Sequence, residues 1–286
     1  MKTLLVPIDF SDNSLRAFEY AVELAARSES EILLLHSVED ASLLSSLNTD
    51  KMDEKKSAAQ QKLEAMVATL NREDVLVRFE VKDGGAVGEI VEAIEENNVT
   101  LVVMGTGGAK NFSRKVFGTT TEAIAKQGLC PVLAIPEGAE IRPIEHIVYA
   151  ADFENGDQVT TMQLLNLKEL LNATITFLHI KSDSQPDYID DEYIKSNLVA
   201  QFPEAELNFV EIANKDVAEG ISNYVQSNET SLVAFTILNR MFWERIFHSS
   251  VTSRLLQTLR IPMLALPENG NLLNLRRKER SEAGRV

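Results

Sequence analysis

KTLLVPIDF, residues 2–10, returns as EHIVYAADF at 145–153: twice an apolar run closes on Asp-Phe, with Asp9 and Asp152 143 positions apart. The next apolar runs, EILLLHS and ITFLHI, place His36 and His179 at the same spacing. Further on, TLVVMG and CPVLAIPE match SLVAFT and IPMLALPE, with Leu101 and Leu232 131 positions apart, as are Pro131 and Pro262. The chain is thus read as a duplication whose second copy has a shorter middle. EGAEIRP, residues 137–143, carries the Gly, charge and Pro of a linker. The expected division is a first domain at 1–136, the linker, a second domain at 144–267 and a basic tail at 268–286.

Within each copy, short apolar runs alternate with longer segments of helical period. Strands are expected near 3–8, 31–36, 76–81, 100–104 and 131–135, and again near 145–150, 173–179, 206–212, 231–236 and 262–266. Between the first set, NSLRAFEYAVELAARS gathers Leu15, Phe18, Ala21, Val22 and Leu24 on one side of a helix. DKMDEKKSAAQQKLEAMVATLNR, VGEIVEAIEEN and TTEAIAKQG read the same way. Strands apolar on both faces need cover on both, and strand-helix-strand alternation gives parallel pairing with right-handed crossovers. The expected fold class is α/β: two tandem doubly wound, Rossmann-like domains, each a five-stranded parallel sheet. Such sheets bind ligands at the C-terminal ends of their strands.

Composition limits the function classes. The 286 residues are enough for two cores, and 44% hydrophobic with 25% charged is a globular balance. The single cysteine, Cys130, sits in the apolar GLCPVLAIP and reads as a buried structural thiol. A net charge of -15 repels DNA, RNA and anionic lipid, so neither nucleic acid nor membrane is expected as a partner. The apolar run of MKTLLVPIDF is too short for a signal-peptide core, and a cytoplasmic protein is expected. Local exceptions to the acidity are Lys110, Arg114 and Lys115 in one loop, and the tail LRRKERSEAGR.

That basic loop lies in VVMGTGGAKNFSRKVFGTT, residues 102–120. Gly105 and Gly108 bracket the exit from a buried strand, and Gly118 opens a helix with Thr119 and Thr120. Glycine admits close backbone approach and positive φ, while a helix start offers free N–H groups, a combination suited to phosphate. The plainer alternative makes the glycines turn formers and Thr119 an N-cap. For Asp9 the choice is between accepting from a ligand and capping the following helix through an Asx-turn. His36 reads as a structural imidazole.

The spacing Gly105, two residues, Gly108, nine residues, Gly118, Thr119 resembles the nucleotide-binding signature of the universal stress protein (UspA-like) family. VPIDFSDNS at 6–14, LLHS at 34–37, GGAVGEIVEAIEENNVTLVVMG at 84–105 and CPVLAIP at 130–136 extend the likeness over a tandem pair. The resemblance implies strand order 3-2-1-4-5 and an ATP-binding, stress-response role. It puts Pro7 and Asp9 at the adenine, has Ser37 line the base pocket through its backbone, and puts Gly105, Gly108, Gly118, Thr119 and Thr120 at ribose and phosphates, with Mg²⁺ or Mn²⁺ held through the phosphates. It also implies that the two halves pack through their fifth strands as a pseudo-dimer, and it allows a homodimer of chains.

In the second copy Thr236, Asn239, Ser249 and Ser250 stand for Gly105, Gly108, Gly118 and Thr119, and the loop between carries Met241, Phe242, Trp243, Ile246 and Phe247. One competent site and one degenerate domain are therefore expected. Three functions fit: a nucleotide-regulated protein, a slow ATPase, or a nucleotide-independent interaction module. No catalytic residue is assigned. DFSDNS follows the first strand where related enzymes carry His-x-Gly-His or Ser-Gly-Gly-x-Asp-Ser, and GTGGAKNF lacks a Walker ending.

Overall fold

The computed structural model describes residues 2–39, 49–70, 72–106, 118–151, 158–182, 191–236 and 260–267. The first half runs β1 (Thr3–Pro7), α1 (Asp12–Ser28), β2 (Glu31–Val38), α2 (Thr49–Ala68), β3 (Val77–Asp83), α3 (Ala86–Glu96), β4 (Val99–Gly105), α4 (Thr119–Gln127) and β5 (Val132–Ile135). The second half runs β6 (His146–Ala150), α5 (Gln158–Leu171), β7 (Thr174–Lys181), α6 (Asp191–Gln201), β8 (Asn208–Ala213), α7 (Val217–Ser227), β9 (Leu232–Thr236) and β10 (Met263–Leu266).

The strands form one sheet in the order β3-β2-β1-β4-β5-β10-β9-β6-β7-β8. Each half is parallel in the order 3-2-1-4-5, the expected doubly wound class. Among the described residues the one antiparallel pair is β5 with β10, aligned as Met263 with Ala134, Leu264 with Leu133 and Ala265 with Val132. VLAI and MLAL are buried throughout, so each fifth strand hides the other's edge and its row of backbone donors and acceptors. The outer strand β3, in contrast, reads VRFEVKD and carries the Arg78–Glu80 and Lys82–Glu96 ion pairs at a solvated margin.

Alternation along the strands feeds two cores. Leu4 and Val6 of β1 join Ile32 and Leu34 of β2 beneath α1, whereas Leu5, Leu33 and Leu35 face the opposite side with Ile90, Ile94 and Ile124 of α3 and α4. Helix α1 is covered over a wider arc than its apolar period predicts. Ser14, Ala17, Tyr20 and Ala25 are buried alongside the expected Phe18, Ala21, Val22 and Leu24, while Leu15 is only half-buried. The reason is that α1 packs on α5 of the other half as well as on its own sheet. Cys130 is 6% exposed, and burial pushes its thiol up to about 12, so it stays protonated and inert at neutral pH. Among the described residues no helix is long and apolar enough to cross a membrane.

Candidate functional site

β1 ends at Pro7, and the chain must turn sharply to start α1 five residues later. Asp9 makes the turn. Its Oδ1 accepts from the Ser11 backbone N–H at 2.9 Å and from the Ser11 hydroxyl at 2.5 Å, while Ser11 caps α1 by accepting from Ser14 N–H at 3.3 Å. Phe10 between them is left-handed, φ 62°. Burial raises the Asp9 carboxyl, but the Ser11 hydrogen bonds outweigh it and hold the group below its ordinary value. The Asx-turn alternative therefore describes Asp9 in this structure.

His36 secures the neighbouring strand end. Its Nδ1 lies 2.6 Å from the Ile8 carbonyl, which only accepts, so the proton is on Nδ1. His179 repeats the bond to the Ala151 carbonyl at 3.0 Å, which makes both imidazoles structural ties between the first two strands of their halves.

Beyond these strand ends opens a cleft of about 260 Å³. Pro7, Asp9, Ser37, Gly105, Gly118, Thr119 and Thr120 all line it. Leu35, Ile90 and Met104 make its apolar floor. Seven of the eight residues singled out from sequence thus meet on one cavity; Gly108 lies outside the described residues, as do Lys110, Arg114 and Lys115. So do Asp152, the second-half positions Asn239, Ser249 and Ser250, the Met241–Phe247 loop, and the basic tail.

Three helices begin at this cleft: Asn13 and Ser14 of α1, Ala86 of α3 and Thr119 of α4 all line it. Helix starts carry partial positive charge and unpaired N–H groups. At α4 the N-cap is Gly118, not Thr119, and no side chain caps the first turn. Among the described residues no side-chain bond to those N–H groups is seen. Thr121 Oγ1 donates to the Gly105 carbonyl at 3.4 Å and ties this turn to the end of β4. Asp9 is the one carboxylate among the described residues lining the cleft.

Neither Gly105 nor Gly118 uses the positive φ that glycine admits. Gly118 sits at φ −61° and ψ 158°, extended backbone open to any residue. Gly105 is absent from the positive-φ set as well, yet a side chain there has no room: its Cβ would stand 2.4 Å from the Asn13 carbonyl oxygen and 2.6 Å from the carbonyl carbon. Gly105 faces α1, and its smallness lets the helix start press against the strand end. Sequence reasoning missed the floor residues Leu35, Ile90 and Met104. Their signal was available, since Leu35 and Ser37 share one face of β2, and Ile90 lies on the apolar side of α3.

Residues 1–136 match the model of the universal stress protein family. A universal stress protein of Methanocaldococcus jannaschii is 28% identical over 141 residues, covering 47% of this chain and 81% of that protein. One of Synechocystis is 27% identical over 135 residues, covering 47% of this chain and 85% of that protein. Among solved structures, a universal stress protein from Archaeoglobus fulgidus superposes with TM-score 0.68 at 17% identity, over 92% of this chain and 97% of that one. A Pseudomonas aeruginosa protein described as a putative universal stress protein gives TM-score 0.57 at 16% identity, over 93% of each chain. At these identities the structural matches speak for the fold.

Proposed function

From the match of residues 1–136 to the universal stress protein family model we propose that the chain is a member of that family, that this half binds ATP and that occupancy regulates the protein's shape or partners. The observation that carries the reading is that the start of α4, at Gly118, Thr119 and Thr120, lines the same cleft as Pro7, Asp9 and Ser37. In this assignment the first-turn N–H groups and the Thr119 and Thr120 hydroxyls hold the phosphates. The base lies over Leu35, Ile90 and Met104, beside Pro7, Asp9 and Ser37.

The residues present fit a nucleotide better than a protein-bound metal. Among the described residues no three His, Cys, Asp or Glu side chains stand together as a metal site. When Mg²⁺ or Mn²⁺ accompanies the nucleotide, it would be held through the phosphates and neutralise their charge. The proposed division follows: 1–136 binds nucleotide, 137–143 links, 144–267 carries the degenerate copy and 268–286 is a basic tail.

Calorimetric titration of ligand-stripped protein with Mg²⁺ and ATP tests the reading. Saturable binding is the expected result; no heat at millimolar nucleotide would leave the interaction-module reading in its place. Phosphate release over hours, read on the same sample, separates a regulatory binder from a slow ATPase.

A further inference from the structure

The second half keeps the frame of the first. His36 and His179 bind equivalent carbonyls. Gly84 and Asn214 donate to equivalent carbonyls, Val38 and Lys181, at 3.2 and 3.0 Å. Glu89 and Gly220 each close the first turn of their helix onto its N-cap, Gly85 and Asp216. Ser37 and Ile180, each following its histidine, are therefore the same place in the two halves, as are Glu89 and Gly220.

The occupants of these places are exchanged in size. In the first half Ser37 is half-buried and lines the cleft, and Glu89 leans over side-chain-free Gly84. In the second, Ile180 is 6% exposed, and a Cβ on Gly220 would stand 2.9 Å from its Cγ2 and 3.0 Å from its Cδ1. Gly220 is what lets Ile180 lie under α7. Phe235, 1% exposed, stands where the first half has Met104 and shares a buried cluster with Ile180.

We infer that Ile180, admitted by Gly220, closes the base pocket of the second half, so that the chain takes one adenine nucleotide for a reason independent of the missing phosphate glycines. Ile180 and Gly220 thus set which half is selective for nucleotide. The inference rests on the ATP reading of the first cleft for its functional meaning, and on steric fit alone for its mechanism.

Moving the pair into the first half tests it. Ser37→Ile, Glu89→Gly and the double variant are compared with the parent by thermal unfolding and by ATP titration. Ser37→Ile should lower Tm by about 2–4 °C more in the parent than beside Glu89→Gly, where the added methyls find space. Glu89→Gly should bind ATP as the parent does. The double variant should fold and lose about a hundredfold or more in affinity, the equivalent of 2.7 kcal/mol. Affinity in the double variant within threefold of the parent would overturn the inference, as would an equal Tm loss in both backgrounds or a comparable loss of binding from Glu89→Gly alone. Should the parent itself take up no nucleotide, the ATP reading fails, and the Tm comparison decides the steric pair by itself.

Discussion

Replacing Gly105 by alanine adds one methyl group at the end of β4, where it meets main chain and not a movable side chain. The Cβ would lie 2.4 Å from the Asn13 carbonyl oxygen and 2.6 Å from its carbon, each well inside van der Waals contact. To clear them the start of α1 or the end of β4 must move by about an ångström, and overpacking of this kind costs about 1–3 kcal/mol. That is a sizeable share of the roughly 5–15 kcal/mol that holds a domain folded. For folding units of this size Tm falls by about 2–4 °C per kcal/mol. Because Asn13 also lines the cleft, nucleotide affinity should fall in parallel. Urea unfolding and ATP titration on the same variant read both effects. An unchanged unfolding midpoint with binding alone lost would refute this reasoning and return Gly105 to direct contact with the ligand.

Gly118→Val places a side chain at the uncapped start of α4 on backbone that any residue adopts; circular dichroism and Tm should stay at the parent values while calorimetry shows ATP binding lost, and unchanged affinity would put the phosphates elsewhere. Tyr20 is 2% exposed, its hydroxyl finds no hydrogen-bond partner among the described residues, and burial pushes its pKa up to about 12. Tyr20→Phe should accordingly leave stability unchanged or raise it by up to about 1–3 kcal/mol, the cost of an unsatisfied buried polar group; a urea-measured loss above about 1 kcal/mol would show an unseen partner. The Asp9 carboxyl is held below its ordinary 3.8, so its contribution is present above that pH and is lost as pH falls through the depressed value. Asp9→Asn should therefore flatten the acid end of the stability profile by lowering the neutral plateau, slightly because the group is largely exposed, and leave stability below the depressed pKa unchanged; identical acid limbs for parent and variant would remove the carboxylate from the account.

The fold was legible because both of its signals are local. Runs such as ILLL and LVVM are apolar on both faces and cannot be edge strands, and NSLRAFEYAVELAARS has helical period, so alternation alone leads to a doubly wound sheet. The repeat at Asp9 and Asp152 then fixes two copies. Packing across the junction was less visible: Ser14, Ala17 and Tyr20 look like a helix flank, yet all three are buried in a helix that meets both its own sheet and α5. At the site, Gly105 and Gly118 both line the cleft, and Gly105 shows a packing demand that the motif does not carry. Gly105 is small because α1 begins against it, a long-range contact that spacing cannot reveal. Likewise, Ile180 reads as one more apolar strand residue until its place opposite Ser37 is seen, and the exchange with Gly220 involves residues 40 positions apart.

The most direct test is the electron density of the protein crystallised with excess ATP and Mg²⁺. One nucleotide is predicted per chain, in the first-half cleft, with phosphate oxygens within hydrogen-bond reach of the Thr119 and Thr120 main-chain nitrogens. An empty first cleft, or adenine seated over Ile180 and Phe235 in the second half, would contradict it.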